Sequence, residues 1–191
     1  MEADWEIEIG PQAPIIDALW PGFIDLRHAP ERIVEVEEAQ RLPALAESLL
    51  RLNGAGFGPD YGEAGSQLWT AKCDLWTPEY CDPDEMDATP AESVFGLACY
   101  IDLLPRDGLV FAAFDEAEQW ARAAVSRLRQ AARRCCRVDL IVRNAFAGNQ
   151  EGTGITAYIA ACGPDADAAK KTLSVALITL VEKLETSAGP S

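Results

Sequence analysis

Residues 138–162, VDLIVRNAFAGNQEGTGITAYIAAC, decide how this chain folds. Val138–Phe146 and Gly154–Cys162 are two runs rich in apolar and β-branched residues, and Ala147–Thr153 between them carries Gly148-Asn149 and Gly152. Strand, glycine-bearing turn, strand is the signature of an antiparallel hairpin. Helical periodicity flanks it on both sides. Ala117, Trp120, Ala121, Ala124, Val125 and Leu128 recur at three and four residues, which predicts a helix from about Asp115 to Arg134. Asp115 with Glu118 makes a capping-box-like start, and Arg133 and Arg134 suit the negative end of the helix dipole. Leu173, Ala176, Leu177, Leu180, Val181 and Leu184 do the same for a helix from about Pro164 to Glu185, with a frayed tail over 188–191. A hairpin between two amphipathic helices calls for a sheet with helices laid upon it.

Outward from that centre, Val94–Leu104 is almost continuously apolar, which predicts an interior strand covered on both faces. Ser66–Thr77 alternates. Trp69, Ala71, Cys73 and Leu75 fall on one face, and Leu68, Thr70, Lys72, Asp74 and Trp76 on the other. On that reading Trp69 and Trp76 point to opposite faces, one into the core and the other toward an interface. A further helix begins near Arg41, with Pro43 in its first turn, Leu42, Leu45, Leu49 and Leu50 on its stripe, and Asn53-Gly54 as its stop. Trp5–Ile9 and Glu31–Val36 read as strands, with a further short strand at Phe23–Leu26. The expected architecture is one α+β domain over 1–191, mainly antiparallel, with three amphipathic helices. Residues 31–146 supply a ferredoxin-like βαββαβ core, and 154–186 a strand–helix extension. Two successive α–β–β units are the other parsing.

The 191 residues, 49% apolar and 25% charged, suffice to bury a core without metal or disulfide staples. The net charge of −15 argues against nucleic-acid binding through a generally basic surface. The charge is uneven: residues 1–118 carry 25 acidic and 6 basic side chains, residues 119–191 carry 6 and 10. High charge keeps a protein soluble. In its sharper reading the asymmetry supports head-to-tail self-association, or a basic partner on the acidic half. The six cysteines form no C-x-x-C pair and there is one histidine, so no zinc spacing is present, and no cofactor is expected. The acidic N-terminus does not read as a leader, and no apolar run approaches the ~20 residues that span a bilayer. The expected setting is the cytoplasm, with reduced thiols, Cys99 and Cys162 among them as buried packing groups.

Several constellations carry possible chemistry. The loop GAGFGPDYGEAG (54–65) follows a helix and precedes a strand, the reverse of a dinucleotide-binding turn, and reads as a connector. Asp82, Asp84, Glu85 and Asp87 are dense in carboxylates without the spacing or glycine of a calcium loop. Flanked by Trp76 and Tyr80, they read as a docking surface for a basic protein partner. His28 is the only imidazole, so any Ser–His or Cys–His nucleophile has to use it. Lys72, Asp74 and Asp102 interrupt apolar strands, as Asp139 does near a strand start. They mark either the wet face of the sheet or a catalytic carboxylate cluster. Arginines 122, 127, 129, 133, 134, 137 and 143 make one basic region around the second long helix.

Two function classes fit. The first is a bacterial-type, non-enzymatic interaction domain, immunity-like or adaptor-like by analogy of size and charge, presenting acidic surface to a protein partner and self-associating. The second is a small enzyme using Asp74, Asp102 and Lys72 beside the glycine-rich loop, or a ligand-sensing module with a pocket on the sheet face. A deep pocket lined by those three residues favours the enzyme.

Overall fold

The computed structural model describes residues 1–8, 15–16, 23–54, 68–106 and 111–185. The glycine-rich loop beyond Gly54 and the tail at 188–191 lie outside these. The fold is α+β and mainly antiparallel. Its strands are β1 (Glu2–Glu8), β2 (Ile15–Ile16), β3 (Leu68–Trp76), β4 (Phe95–Pro105), β5 (Cys136–Ala147) and β6 (Gln150–Gly163). The sheet order is β1-β5-β6-β4-β3, and β2 follows β1 along the same edge of β5. β1 and β2 run parallel to β5, and all other pairs are antiparallel.

The hairpin that decides the fold is longer than the sequence suggests. Its strands reach Ala147 and Gln150, leaving a turn of Gly148 and Asn149. Gly148 supplies the positive φ, 62°, that a two-residue hairpin turn requires. The helices are α1 (Glu37–Arg41), α2 (Pro43–Leu52), α3 (Phe114–Arg129) and α4 (Ala166–Glu185). Pro43 opens α2 as expected, and Gly54 follows its end at φ 77°. Asn53 is buried there. Its amide donates to Leu49 O (2.8 Å) and Thr70 Oγ1 (2.6 Å), tying the helix end to β3. At α3 the N-cap is Ala113, not Asp115. Asp115 and Glu116 sit in the first turn and act there through charge.

The ferredoxin-like order is not what this sheet has. Its expected first strand, 31–36, is a 3-10 turn over Pro30–Glu35. The valine and isoleucine content favours a strand, but Pro30 fixes the φ of a helical first position. The Arg32–Glu35 pair, 2.7 Å at i,i+3, closes only in a helical turn. Phe23–Leu26 is likewise no strand. The sheet edge beside β5 is taken instead by β1.

All of α2, α3 and α4 pack on one face of the sheet. On that face Cys99, Ile101 and Leu103 of β4, Val138 and Leu140 of β5, and Ile155, Ala157 and Ile159 of β6 are fully buried in one apolar cluster with Leu128, Leu173, Leu177 and Leu180. Cys99 and Cys162 are buried thiols as expected, and all six cysteines are free.

A β-bulge overturns the facing expected for β3. The pairing with β4 slips between Thr70 and Cys73. Trp69 pairs with Leu104 before the slip and Trp76 with Ala98 after it, so both tryptophans stand on the face away from the helices. One extra residue inverts the alternation. Leu68, Thr70, Cys73 and Leu75 then face the core, while Trp69, Lys72, Asp74 and Trp76 face the other way.

Candidate functional site

Among the described residues, the second face of the sheet is covered at its two ends. At one end Trp69 and Phe111 lie over Leu104 and Ala145. Gly152 permits this close approach: a Cβ there would stand 2.4 Å from Phe111 O. At the other end the acidic 78–93 segment is pinned through Cys81 and Met86 onto Ala160 and Cys162. Gly96 is required at that contact, since a Cβ on it would meet Cys81 Sγ at 2.1 Å and Pro78 Cγ at 2.8 Å. The acidic loop is thus anchored by two buried apolar side chains and presents its carboxylates outward.

Between the pinned loop and the β1 edge lies a cavity of about 470 Å³, within the usual range for ligand sites. Trp76, Tyr80, Tyr158, Ile141 and Met86 form its apolar walls. Asp4, Glu6, Asp82, Glu85 and Asp139 bring carboxylates, and Arg137 is the one cationic residue in its lining. Arg137 is already engaged, with Nε donating to Asp139 Oδ2 at 2.8 Å. Trp76 makes an aromatic corner with Tyr158, ring centres 6.4 Å apart at 82°, and Tyr100 backs both rings at 6.2 and 5.7 Å. The cross-strand register explains the cluster: Tyr100 pairs with Tyr158 across β4–β6, and Trp76 stands one position along on β3.

Of the residues expected to bind a partner, Trp76, Tyr80, Asp82 and Glu85 line the cavity. Asp84 donates its backbone N–H to Asp82 Oδ1 (2.9 Å), and Asp87, at φ 49°, pairs with Arg134 (3.5 Å); both stand outside the lining. Lys72, Asp74 and Asp102 share the open face but are not in the lining. Lys72 is exposed beside the Tyr100 hydroxyl, which raises its pKa. Asp74 is exposed, and its Oδ1 accepts the N–H of Leu75 at 2.7 Å. Asp102 is half-buried at the centre of the face. Thr156 Oγ1 donates to its Oδ1 at 2.6 Å, and burial pushes its pKa up against the pull of Thr156, Arg143 and Lys72. His28 is apart from all of these, 80% exposed, with Nδ1 2.9 Å from Asp25 Oδ2.

The basic region expected around α3 is mostly spoken for within the chain. Arg122 reaches Glu118 (2.5 Å), Arg134 Glu92 (3.3 Å), Arg143 Glu8 (2.5 Å) and Arg129 Asp4 (3.5 Å). Among the described residues no group of three or more His, Cys, Asp and Glu is placed to hold a metal ion, and no helix is long and apolar enough to cross a membrane.

Tyr100, Tyr158 and Thr156 escaped the sequence reading, and Arg143 entered it only as one of the arginines of the basic region. Part of their signal is there in retrospect: Tyr100 shares the even parity of Asp102 in β4, and Thr156 and Tyr158 share one parity in β6. No protein-family model, curated protein or solved structure matches the chain, so the functional reading rests on the groove itself.

Proposed function

We propose that this chain is a non-enzymatic binding domain that takes a positively charged segment of a protein partner into the groove between the 78–93 loop and the open sheet face. One observation carries the reading. An aromatic-walled cavity is lined by five carboxylate residues and a single arginine, itself bound to Asp139. Such a surface attracts cations at long range and offers aromatic faces to them at contact. Because Arg122, Arg129, Arg134 and Arg143 already pair with carboxylates of their own chain, the positive charge is better supplied by a different protein than by a second copy. The setting consistent with six unpaired thiols is the cytoplasm.

The test is calorimetric titration of the chain with lysine- and arginine-bearing peptides and with acidic peptides of equal length. The reading expects saturable, salt-weakened binding of the basic set alone, lost in Trp76→Ala. Equal binding of both sets, or of neither, contradicts it.

One observation supports a second reading, a carboxylate-dependent enzyme. Burial raises the pKa of Asp102, against the Thr156 hydroxyl that donates to it and the charges of Arg143 and Lys72, and a raised carboxyl pKa is the direction general-acid chemistry uses. The cavity lies beside this cluster and is not lined by it, so binding is the stronger reading.

A further inference from the structure

The tryptophans on the strands of this sheet differ in one respect. Trp69 carries a guanidinium on its face: Arg27 stands 4.3 Å from the ring centre and Arg106 5.6 Å. Arg27 is held there by Asp25 as a fork, Nε to Oδ1 at 2.7 Å and Nη2 to Oδ2 at 2.8 Å. Trp5 has the same arrangement. Arg122 lies 4.5 Å from its ring centre, and Glu118 holds that arginine at 2.5 Å. Each is a three-part unit of indole face, guanidinium and carboxylate. Trp76 has two of the parts. It shares the cavity with Asp82, Glu85 and Asp139, and among the described residues no cation lies over its ring.

We infer that the cation recognised by the groove is an arginine side chain of the partner, stacked on Trp76 and forked by the carboxylates of Asp82 and Glu85. This deepens the proposed function and rests on it. The chemistry favours arginine over lysine. A guanidinium is planar, weakly hydrated and able to stack on an indole while giving two parallel N–H donors to a carboxylate. An ammonium is a strongly hydrated point charge that cannot do both in one plane. Both internal units use arginine, and the one lysine near an aromatic of this face, Lys72, stands 6.0 Å from the Tyr100 ring centre, the far edge of such contacts. Asp82 and Glu85 suit the role because their loop is pinned by Cys81 and Met86, which limits the ordering cost of closing on a ligand.

The experiment compares three blocked peptides of glycine and serine carrying three arginines, three lysines or three citrullines, titrated calorimetrically into the full chain. The arginine peptide is expected to bind about tenfold more tightly than the lysine peptide, with citrulline lost altogether. Trp76→Ala should abolish measurable binding of the arginine peptide. The Asp82→Asn, Glu85→Gln double variant, which keeps the shape of both side chains and is checked by circular dichroism, should weaken the arginine peptide at least about tenfold. Equal affinity for lysine and arginine peptides overturns the inference and leaves the binding reading standing. Binding of citrulline as strongly as arginine overturns the inference by removing charge from it. Failure of both cationic peptides to bind overturns the two together.

Discussion

The two faces of one sheet are built from the same strands and have opposite character. The helix side is finished: its strand residues are small or branched and apolar, and α2–α4 exclude water from them. The other side is sealed at its ends by Phe111 and by the Cys81–Met86 anchor, and holds aromatic and charged side chains between them. The contrast shows where stability resides and, on the function proposed above, where recognition is expected. Burial on the first face holds the fold together, while the second keeps polar groups that cost stability and are retained without helping to build the core.

The sharpest way to break this comparison is to damage each face in turn. Leu140→Ala, on the fully buried side, should cost about 2–5 kcal/mol and lower Tm steeply in thermal unfolding, with little change in peptide affinity per folded molecule. Trp76→Ala should show the reverse, about 1 kcal/mol of stability against loss of measurable binding. If Leu140→Ala abolishes binding in molecules that remain folded, the division between the faces fails. The next effect concerns the anchor. Gly96→Ala forces a methyl into the space of Cys81 Sγ and Pro78, and should cost about 1–3 kcal/mol by overpacking. Hydrogen exchange should then quicken over 81–88 while the amides of β5 stay protected. Unchanged exchange over 81–88 would mean that the loop is not held through this contact.

A subtler effect is that of pH at Asp102. Burial raises its pKa in the folded chain, so the folded state binds that proton more tightly than the unfolded state does. Stability from this group is therefore greatest below the ordinary carboxylate range and falls as pH rises through it toward the folded value. Asp102→Asn keeps an acceptor for Thr156 and removes the penalty. Its Tm should exceed that of the parent at pH 8, with the gap closing near pH 4. A lower Tm at pH 8 would show that Arg143 and Lys72 more than compensate the buried charge. The smallest expected effect on stability is at an exposed carboxylate of the cavity rim: Glu85→Gln should move it by less than about 0.5 kcal/mol, while weakening capture of a cationic peptide.

Much of this was legible in residue order. The hairpin, the interior strand β4, Pro43 at the start of α2 and the stripes of α3 and α4 follow from periodicity and turn residues. Among the features that did not follow, two show the physical reason. Glu31–Val36 has strand composition, yet Pro30 and a local ion pair decide it. The β3 bulge leaves no compositional mark, because an alternating pattern with one extra residue still alternates on either side of it. That slip alone puts Trp69 and Trp76 on the same face, where the alternation had put them on opposite ones. Trp76, Tyr80, Asp82 and Glu85 were visible as a docking set because they are close in sequence. Tyr100, Tyr158 and Arg137 join them only through strand pairing, which no local window contains.

The central claim is that recognition belongs to the open face at Trp76. The most direct measurement is a heteronuclear shift map of the chain titrated with the arginine-bearing peptide. The account predicts that the Trp76 indole N–H and the amides of residues 80–86, 139–141 and 158 move together and saturate. Shifts confined to the exposed sides of α2, α3 and α4, with Trp76 unmoved, would contradict it.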